Sequence, residues 1–80
     1  MITKDKLYKI LKNFELVKYK KNVNKKDVVR YFKILNNEKL EFNMGGYVVN
    51  KTNKGITISN GVNFWFITFL DNIIFKKYKI

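Results

Sequence analysis

Apolar residues near the start of the chain recur at the spacing of a helix. The spacing i, i+3, i+4, i+7 places four of them in a single stripe along one helical face: Leu7, Ile10, Leu11 and Phe14. Thr3 lies ahead of the stripe, where its hydroxyl can accept a hydrogen bond from the first turn. We therefore predict an amphipathic helix over residues 3–14, with lysines on its polar side.

From Asp27 onward the apolar positions alternate with a period of two, which is typical of β-strands. We predict about five strands, with the sequences DVVRYFKIL, KLEFNMGGYVVN, ITIS, FWFITFL and IIFKKYKI. In the second strand, Leu40, Phe42 and Met44 are expected to point inward. Asn60-Gly61 predicts a type I′ turn before the fourth strand, because both residues tolerate positive φ.

The strand FWFITFL is apolar on both faces, so it raises the question of what covers its second face. One face carries Phe64, Phe66 and Leu70, and the other carries Trp65, Ile67 and Phe69. We expect the first set to fill the core and Ile67 and Phe69 to meet the apolar stripe of the helix, with Trp65 at the edge. The reverse assignment of the two faces stays open.

The pair Gly45-Gly46 interrupts the second strand, and paired glycines in a strand favour a bulge or a sharp bend. Such a bend lets a five-stranded sheet roll up and hide its edges. The predicted fold class is α+β, mainly β, with an N-terminal amphipathic helix packed on a five-stranded antiparallel SH3-like or Tudor-like small barrel. We predict a single domain over 1–80, in which 1–26 form the helix and an exposed basic connection and 27–80 form the small β-barrel.

The charge of the chain is strongly basic and unevenly distributed. Seventeen Lys and Arg residues face six Asp and Glu residues, for a formal net charge of +11. The net charge is +8 over residues 1–35 and +3 over residues 36–80. A basic block of this kind suggests a polyanionic partner. A solvated lysine-rich surface and the lysine bias of AT-rich coding are the alternatives.

The residue types needed for most catalytic and metal chemistry are missing. The chain has no His and no Cys, which removes the usual general base near neutral pH and the commonest transition-metal ligands. Ser59 has no His to activate it, and no calcium-loop or phosphate-loop spacing occurs. We expect no enzyme, no metal, no cofactor and no small-molecule substrate. We also expect no membrane partner, since no apolar run approaches the ~20 residues of a membrane span.

Basic residues beside aromatic residues are the remaining functional signal. Small barrels bind single strands by stacking bases on aromatic rings along a cationic groove. The predicted nucleic-acid-binding residues are Lys18, Lys20, Lys21, Lys25, Lys26, Arg30, Lys33, Tyr31 and Trp65, with Tyr47 and Tyr78 as further stacking candidates. Sequence preference should be weak, because lysine meets phosphate as a point charge and the chain has a single arginine.

The alternative function is that of a structural or adaptor protein. Its partner would be another protein, bound through the aromatic strand 64–70, and self-association through that face is a further option. The start of the chain lacks the apolar core of a secretory signal, so we expect an intracellular protein and not a secreted one.

Residues 27–77 resemble a short domain found in uncharacterised proteins of large DNA viruses of protists. The resemblance is carried by the stretches DVVRYFK, GGYVV and NGVNFWFITFLDNIIFKK. The matching positions are Arg30, Tyr31, Gly45, Gly46, Trp65, Asn72, Ile74 and Phe75. The resemblance implies a viral origin and a small β domain, and it implies no activity. A viral origin would make the protein partner of the adaptor alternative a virion component or a host factor. It would also place the chain in the host cytoplasm or nucleus or in a virion.

Overall fold

The computed structural model describes residues 3–78, which form one short helix and six strands. The elements are α1 (Lys4–Ile10), β1 (Phe14–Leu16), β2 (Val28–Ile34), β3 (Leu40–Lys51), β4 (Gly55–Ser59), β5 (Phe64–Thr68) and β6 (Asn72–Lys77). A single 3₁₀ turn, Lys20–Asn22, lies between β1 and β2. Lys79 and Ile80, predicted to end the last strand, lie outside the described residues.

The strands form one antiparallel sheet in the order β1-β6-β2-β3-β4-β5. The mainly β class with one N-terminal helix is confirmed, but the sheet has six strands and does not close into a barrel, since β1 and β5 are edges that do not pair with each other. The additional strand is β1, in which Phe14 lies opposite Lys77 of β6. Phe14, predicted as the last apolar residue of the helix, therefore begins a strand.

The sheet is curled, and a side-chain hydrogen bond across its inner face shows that the curl brings β2 and β5 close together. Trp65 Nε1 in β5 donates to Tyr31 Oη in β2 at 2.8 Å. These strands are three neighbours apart, a separation of about 14 Å in a flat sheet. Two side chains can bridge that separation when the sheet bends toward them. We call this inner, concave side the core face and the opposite side the outer face.

The core face is covered by residues 17–27, which run from β1 to β2. Val23 in this segment is fully buried and joins the core side chains Val29, Tyr31, Val48, Ile56, Ile58, Ile67 and Ile74. Val17, Trp65 and Phe69 pack around this cluster. The connection predicted to be exposed thus supplies a central core residue, although its lysines are exposed as expected.

The predicted bulge at Gly45-Gly46 is confirmed. The pairing of β2 with β3 shifts between Val29 and Tyr31, so that β3 has one extra residue there. Gly45 has φ +66°, and a β-carbon at Gly46 would lie 2.1 Å from the carbonyl oxygen of Ser59. Both positions therefore require glycine, one for its dihedral angle and the other for the close approach of β4.

The predicted packing of the helix on β5 is wrong. α1 ends at Ile10, has no buried residue, and precedes β1 at the opposite edge of the sheet from β5. Thr3 caps it as predicted, accepting the N–H of Lys6 at 3.3 Å. The segment 17–27 takes the place over the core face that was predicted for the helix, since Val23 from this segment is fully buried in the core cluster.

The two faces of β5 are also the reverse of our first assignment. Trp65 and Ile67 point to the core face, whereas Phe64 and Phe66 lie on the outer face and are exposed. In β3, Leu40 and Met44 are exposed rather than inward. Alternation gives the two sets of residues in a strand, but it does not say which set the sheet will curl around.

The turn between β4 and β5 has a different type from the one predicted. Asn60 N–H donates to Asn63 C=O at 3.3 Å, so Gly61 and Val62 are the central residues. Gly61 has φ +93° and Val62 does not have positive φ. Asn60 Oδ1 accepts the N–H groups of Val62 and Asn63 at 2.9 and 2.8 Å, so a side-chain oxygen holds this turn, and the two positive φ angles of a type I′ turn are absent.

We predict that Val23→Ala destabilises the protein by about 1–2.5 kcal/mol, because it removes two buried methyl groups and leaves a cavity under the covering segment. Val62→Ala is the matched control, since Val62 is 81% exposed and should change stability by less than about 0.5 kcal/mol. Urea denaturation curves measure both effects. Equal midpoints for the two variants would show that residues 17–27 do not cover the core.

Candidate nucleic-acid interface

Five of the predicted phosphate-binding lysines lie on the segment that covers the core face. We call residues 18–26 the basic segment, and its lysines are Lys18, Lys20, Lys21, Lys25 and Lys26. All five side chains are exposed, while Val23 between them is fully buried. The segment therefore presents its charges outward from a backbone that is held against the sheet.

Backbone hydrogen bonds fix both ends of the basic segment. Val17 N–H donates to Ile74 C=O at 2.8 Å, which continues the pairing of β1 with β6. At the other end, Lys26 N–H donates to Val48 C=O at 2.8 Å, and Val48 N–H donates to Asp27 C=O at 2.9 Å. The chain between these points is short, so the lysines have a defined location.

Further contacts hold the middle of the segment. The ammonium of Lys76 donates to Asn22 C=O and lies 3.7 Å from Glu15 Oε1. Asn24 N–H donates to Asp27 Oδ2 at 2.7 Å, so the buried carboxyl group of Asp27 closes the turn before β2.

The electrostatics of the basic segment are dominated by unneutralised positive charge. In the described part of the chain, the single ion pair within 4.0 Å is that of Lys76 with Glu15. Lys20 Nζ lies 6.0 Å from the centroid of the Phe69 ring, and Lys20 and Lys54 line one groove together with Asp71. Lys54 thus extends the positive surface beyond the segment.

Tyr31 and Trp65 are placed in the core rather than on the surface. Tyr31 is 5% exposed, and its hydroxyl accepts the hydrogen bond from Trp65 Nε1. Trp65 is half-buried against the core cluster. The ring of Tyr31 is therefore not open to a stacked base, and the two residues that sequence reasoning assigned to stacking hold the curl of the sheet.

Arg30 and Lys33 do not join the five lysines. Arg30 lies on the outer face, where Nη1 donates to Ile10 C=O and the guanidinium is 4.5 Å from the centroid of the Phe14 ring. It links the helix to the sheet. Lys33 is exposed near the end of β2, opposite Glu41 of β3. Alternation along β2 explains why Arg30 and the buried Tyr31 face opposite ways.

Tyr19 is the aromatic residue that the sequence reasoning missed. It is 65% exposed within the basic segment, and Lys21 Nζ lies 6.0 Å from its ring centroid. The signal was present in the sequence, because Tyr19 is flanked by lysines in KYKK. Tyr47 and Tyr78 are also exposed, but Tyr47 lies on the outer face and Tyr78 follows β6.

A second exposed surface lies at the other edge of the sheet. Phe64 and Phe66 project from the outer face of β5 with 70% and 49% of their side chains exposed. Val62 before β5 and Leu70 after it are exposed as well. We call Val62, Phe64, Phe66 and Leu70 the apolar edge. These four side chains carry no cation to meet a phosphate, and Leu70 lines the same groove as Lys20 and Lys54, where the apolar edge adjoins the positive surface.

Residues 3–78 contain no group of three or more Asp, Glu, His or Cys side chains arranged to hold a metal ion. In the same residues no helix has the length and apolar character needed to cross a bilayer.

Comparison with known proteins gives one significant similarity. The chain is 39% identical over 51 residues to an uncharacterised protein of Acanthamoeba polyphaga mimivirus. These residues are 61% of this chain and 34% of the relative, so the chain spans about a third of the length of that protein. The resemblance to proteins of large DNA viruses of protists is thus supported as similarity to a mimivirus protein. No family model and no solved structure matches the chain.

We predict that Tyr31→Phe lowers stability by about 1 kcal/mol, because Trp65 Nε1 loses its acceptor, while retention on immobilised DNA stays unchanged. Tyr47→Phe is the control, since Tyr47 lies exposed on the outer face. Thermal unfolding monitored through the single tryptophan reports the stability change. A loss of DNA retention at unchanged stability would instead place Tyr31 in the binding site.

Proposed function

We propose that this protein binds nucleic acid without strong sequence preference, through contacts between the phosphates and the basic segment. The observation that carries the proposal is the set of five exposed lysines on residues 18–26, a segment anchored at both ends by backbone hydrogen bonds. In the described residues, none of these lysines is paired with a carboxylate within 4.0 Å. Ammonium groups in this situation attract phosphates and release the counterions condensed on the nucleic acid.

The exposed ring of Tyr19 adds a stacking surface to the same segment. An aromatic face between lysines is the arrangement that holds single strands, because bases stack on the ring while cations meet the backbone. We therefore favour single-stranded nucleic acid over duplex. Curled antiparallel sheets and small SH3-like barrels offer such surfaces, and kinship with that barrel class remains part of this proposal.

The similarity to a mimivirus protein supports a viral setting for this activity. In that setting the protein acts in the host cytoplasm or nucleus or is packaged in the virion, where a basic chain neutralises genome charge.

A protein partner is the second candidate function, and the apolar edge favours it. Four exposed apolar side chains cluster around β5, and clusters of this kind mark interaction surfaces more often than solvated ones. An adaptor role would use this edge and leave the basic segment free.

We predict that exchanging Lys20, Lys21, Lys25 and Lys26 for Glu abolishes binding to single-stranded DNA. The matched control exchanges Lys4, Lys6, Lys9 and Lys12 for Glu. Both variants lower the net charge from +11 to +3, since each change from Lys to Glu lowers the net charge by two units. The control lysines are also exposed, so the two variants differ in location alone.

Binding by fluorescence anisotropy at several salt concentrations measures the effect. For the unmodified chain, five phosphate contacts on a single strand give a slope of log K against log salt of about −3.5. The variant with Glu at 4, 6, 9 and 12 should keep most of that slope. The variant with Glu at 20, 21, 25 and 26 should lose it. Equal losses in the two variants, or a flat salt response of the unmodified chain, would contradict the proposal.

We predict that Tyr19→Ala weakens binding to single-stranded DNA by about 1–3 kcal/mol, the value of one base–aromatic stack. Tyr8→Ala is the control, because Tyr8 is 78% exposed on α1, away from the basic segment. Duplex DNA of the same length should show a smaller effect of Tyr19→Ala, since its bases are already stacked. Identical losses with both substitutions would argue against a stacking role for Tyr19.

A further inference from the structure

β5 is an edge strand: β4 pairs with one side of it, and within residues 3–78 no strand pairs with the other side. Along two antiparallel strands, opposed residue pairs that exchange backbone hydrogen bonds alternate with pairs that do not. Asn60 N–H donates to Asn63 C=O and Phe69 N–H donates to Lys54 C=O, so the odd-numbered residues of β5 turn their backbone groups toward β4. The backbone groups of Phe64, Phe66 and Thr68 therefore point to the open side.

This open edge lacks the features that prevent edge strands from pairing with strands of other molecules. Protein edges are usually blunted by charged side chains, by proline, by bulges or by short strands. Residues 55–70 contain no charged residue and no proline, in a chain with a net charge of +11. The β4–β5 pairing also has no register shift.

The other edge of the sheet is protected. β1 has three residues, with Glu15 at its centre and Lys12 and Lys18 on either side. A short, charged edge is a poor template for strand addition. The two edges therefore differ, and only β5 offers a regular, uncharged strand.

We propose that two copies of this chain associate by antiparallel pairing of their β5 strands, with Phe66 of one copy opposite Phe66 of the other. In this register Phe64 lies opposite Thr68, so the outward backbone groups of both copies face each other. The pairing uses backbone groups of β5 and not lysine side chains, so the proposal does not rest on nucleic-acid binding.

The lack of charge along residues 55–70 points to a second copy as the occupant. Two chains of net charge +11 repel each other, and this repulsion is weakest where both copies present uncharged residues. Nucleic acid or an acidic protein would instead be drawn to the lysine-bearing surfaces. Pairing β5 with β5 also uses the same edge of both copies, so it closes as a two-fold dimer rather than growing into a filament.

The apolar edge adds side-chain contact to this pairing. Phe66 of each copy would lie beside its counterpart on the outer face, and Phe64 and Val62 would flank that pair. Aromatic cross-strand pairs on one face stabilise antiparallel sheets. These side chains, exposed in the single chain, become covered in the dimer.

Sedimentation equilibrium of the full chain tests the proposal. The mass should rise with concentration from 9.6 kDa toward twice that value. Phe66→Lys places two ammonium groups opposite each other, so it should raise the dimer dissociation constant by at least about tenfold. Tyr8→Lys adds the same charge on α1 and should dimerise like the unmodified chain. A mass of 9.6 kDa at every concentration, or equal dimerisation of all three chains, overturns the proposal.

A cross-linking measurement keeps the test decisive if Phe66→Lys fails to fold. The chain has no cysteine, so Phe66→Cys introduces a single thiol. Opposed residues in a bonded antiparallel pair have Cα atoms about 5.5 Å apart, within the range of a disulfide. Under mild oxidation, Phe66→Cys should form a covalent dimer at least about tenfold faster than Tyr8→Cys, because paired strands bring the thiols together. Equal rates overturn the proposed pairing.

Discussion

The hydrogen bond from Trp65 to Tyr31 joins two strands that are separated by two others in the sheet. It can form because the sheet curls, and the curl is what allows one sheet to make a core without a second layer. A flat six-stranded sheet would need a helix or another sheet on its apolar face. Here the core face folds over itself, and the gap that remains is filled by Val23 from the connection between β1 and β2.

This solution separates the surfaces of the molecule by their chemistry. The segment that covers the core must be anchored, so the lysines it carries are presented at fixed places rather than on a mobile arm. The strand farthest from β1 in the sheet is free of charge along its whole length. A strongly basic chain thus keeps one uncharged edge, and the two regions can act without competing for the same partner.

The elements that could be predicted from the sequence are those specified by local pattern. The strands from Val28 onward, the N-cap at Thr3 and the bulge at Gly45 follow from alternation, capping chemistry and the absence of a β-carbon. The face assignment of β5 could not be predicted, because both of its faces are apolar and the direction of curl depends on contacts between distant strands. Val23 was missed for a similar reason, since an isolated valine among lysines carries no periodic signal.

In the candidate site, too, some features could be predicted from the sequence and others could not. The exposed lysines of the basic segment were predictable from charge clustering. Tyr31 and Arg30 do not lie with these lysines, because adjacent residues of β2 point to opposite faces, one into the core and the other toward α1. Proximity in the sequence RYFK therefore did not place the basic and aromatic side chains on one surface.

The attachment of α1 through Arg30 has a consequence for local stability. Seven residues are too few for a helix that is stable alone in water, and no side chain of α1 is buried. The guanidinium of Arg30 at the carboxyl end of the helix therefore supports it, by donating to Ile10 C=O and by favourable interaction with the helix dipole. The amide protons of Leu7 and Leu11 should exchange with solvent through opening of this helix alone, while those of the core strands exchange when the whole sheet unfolds.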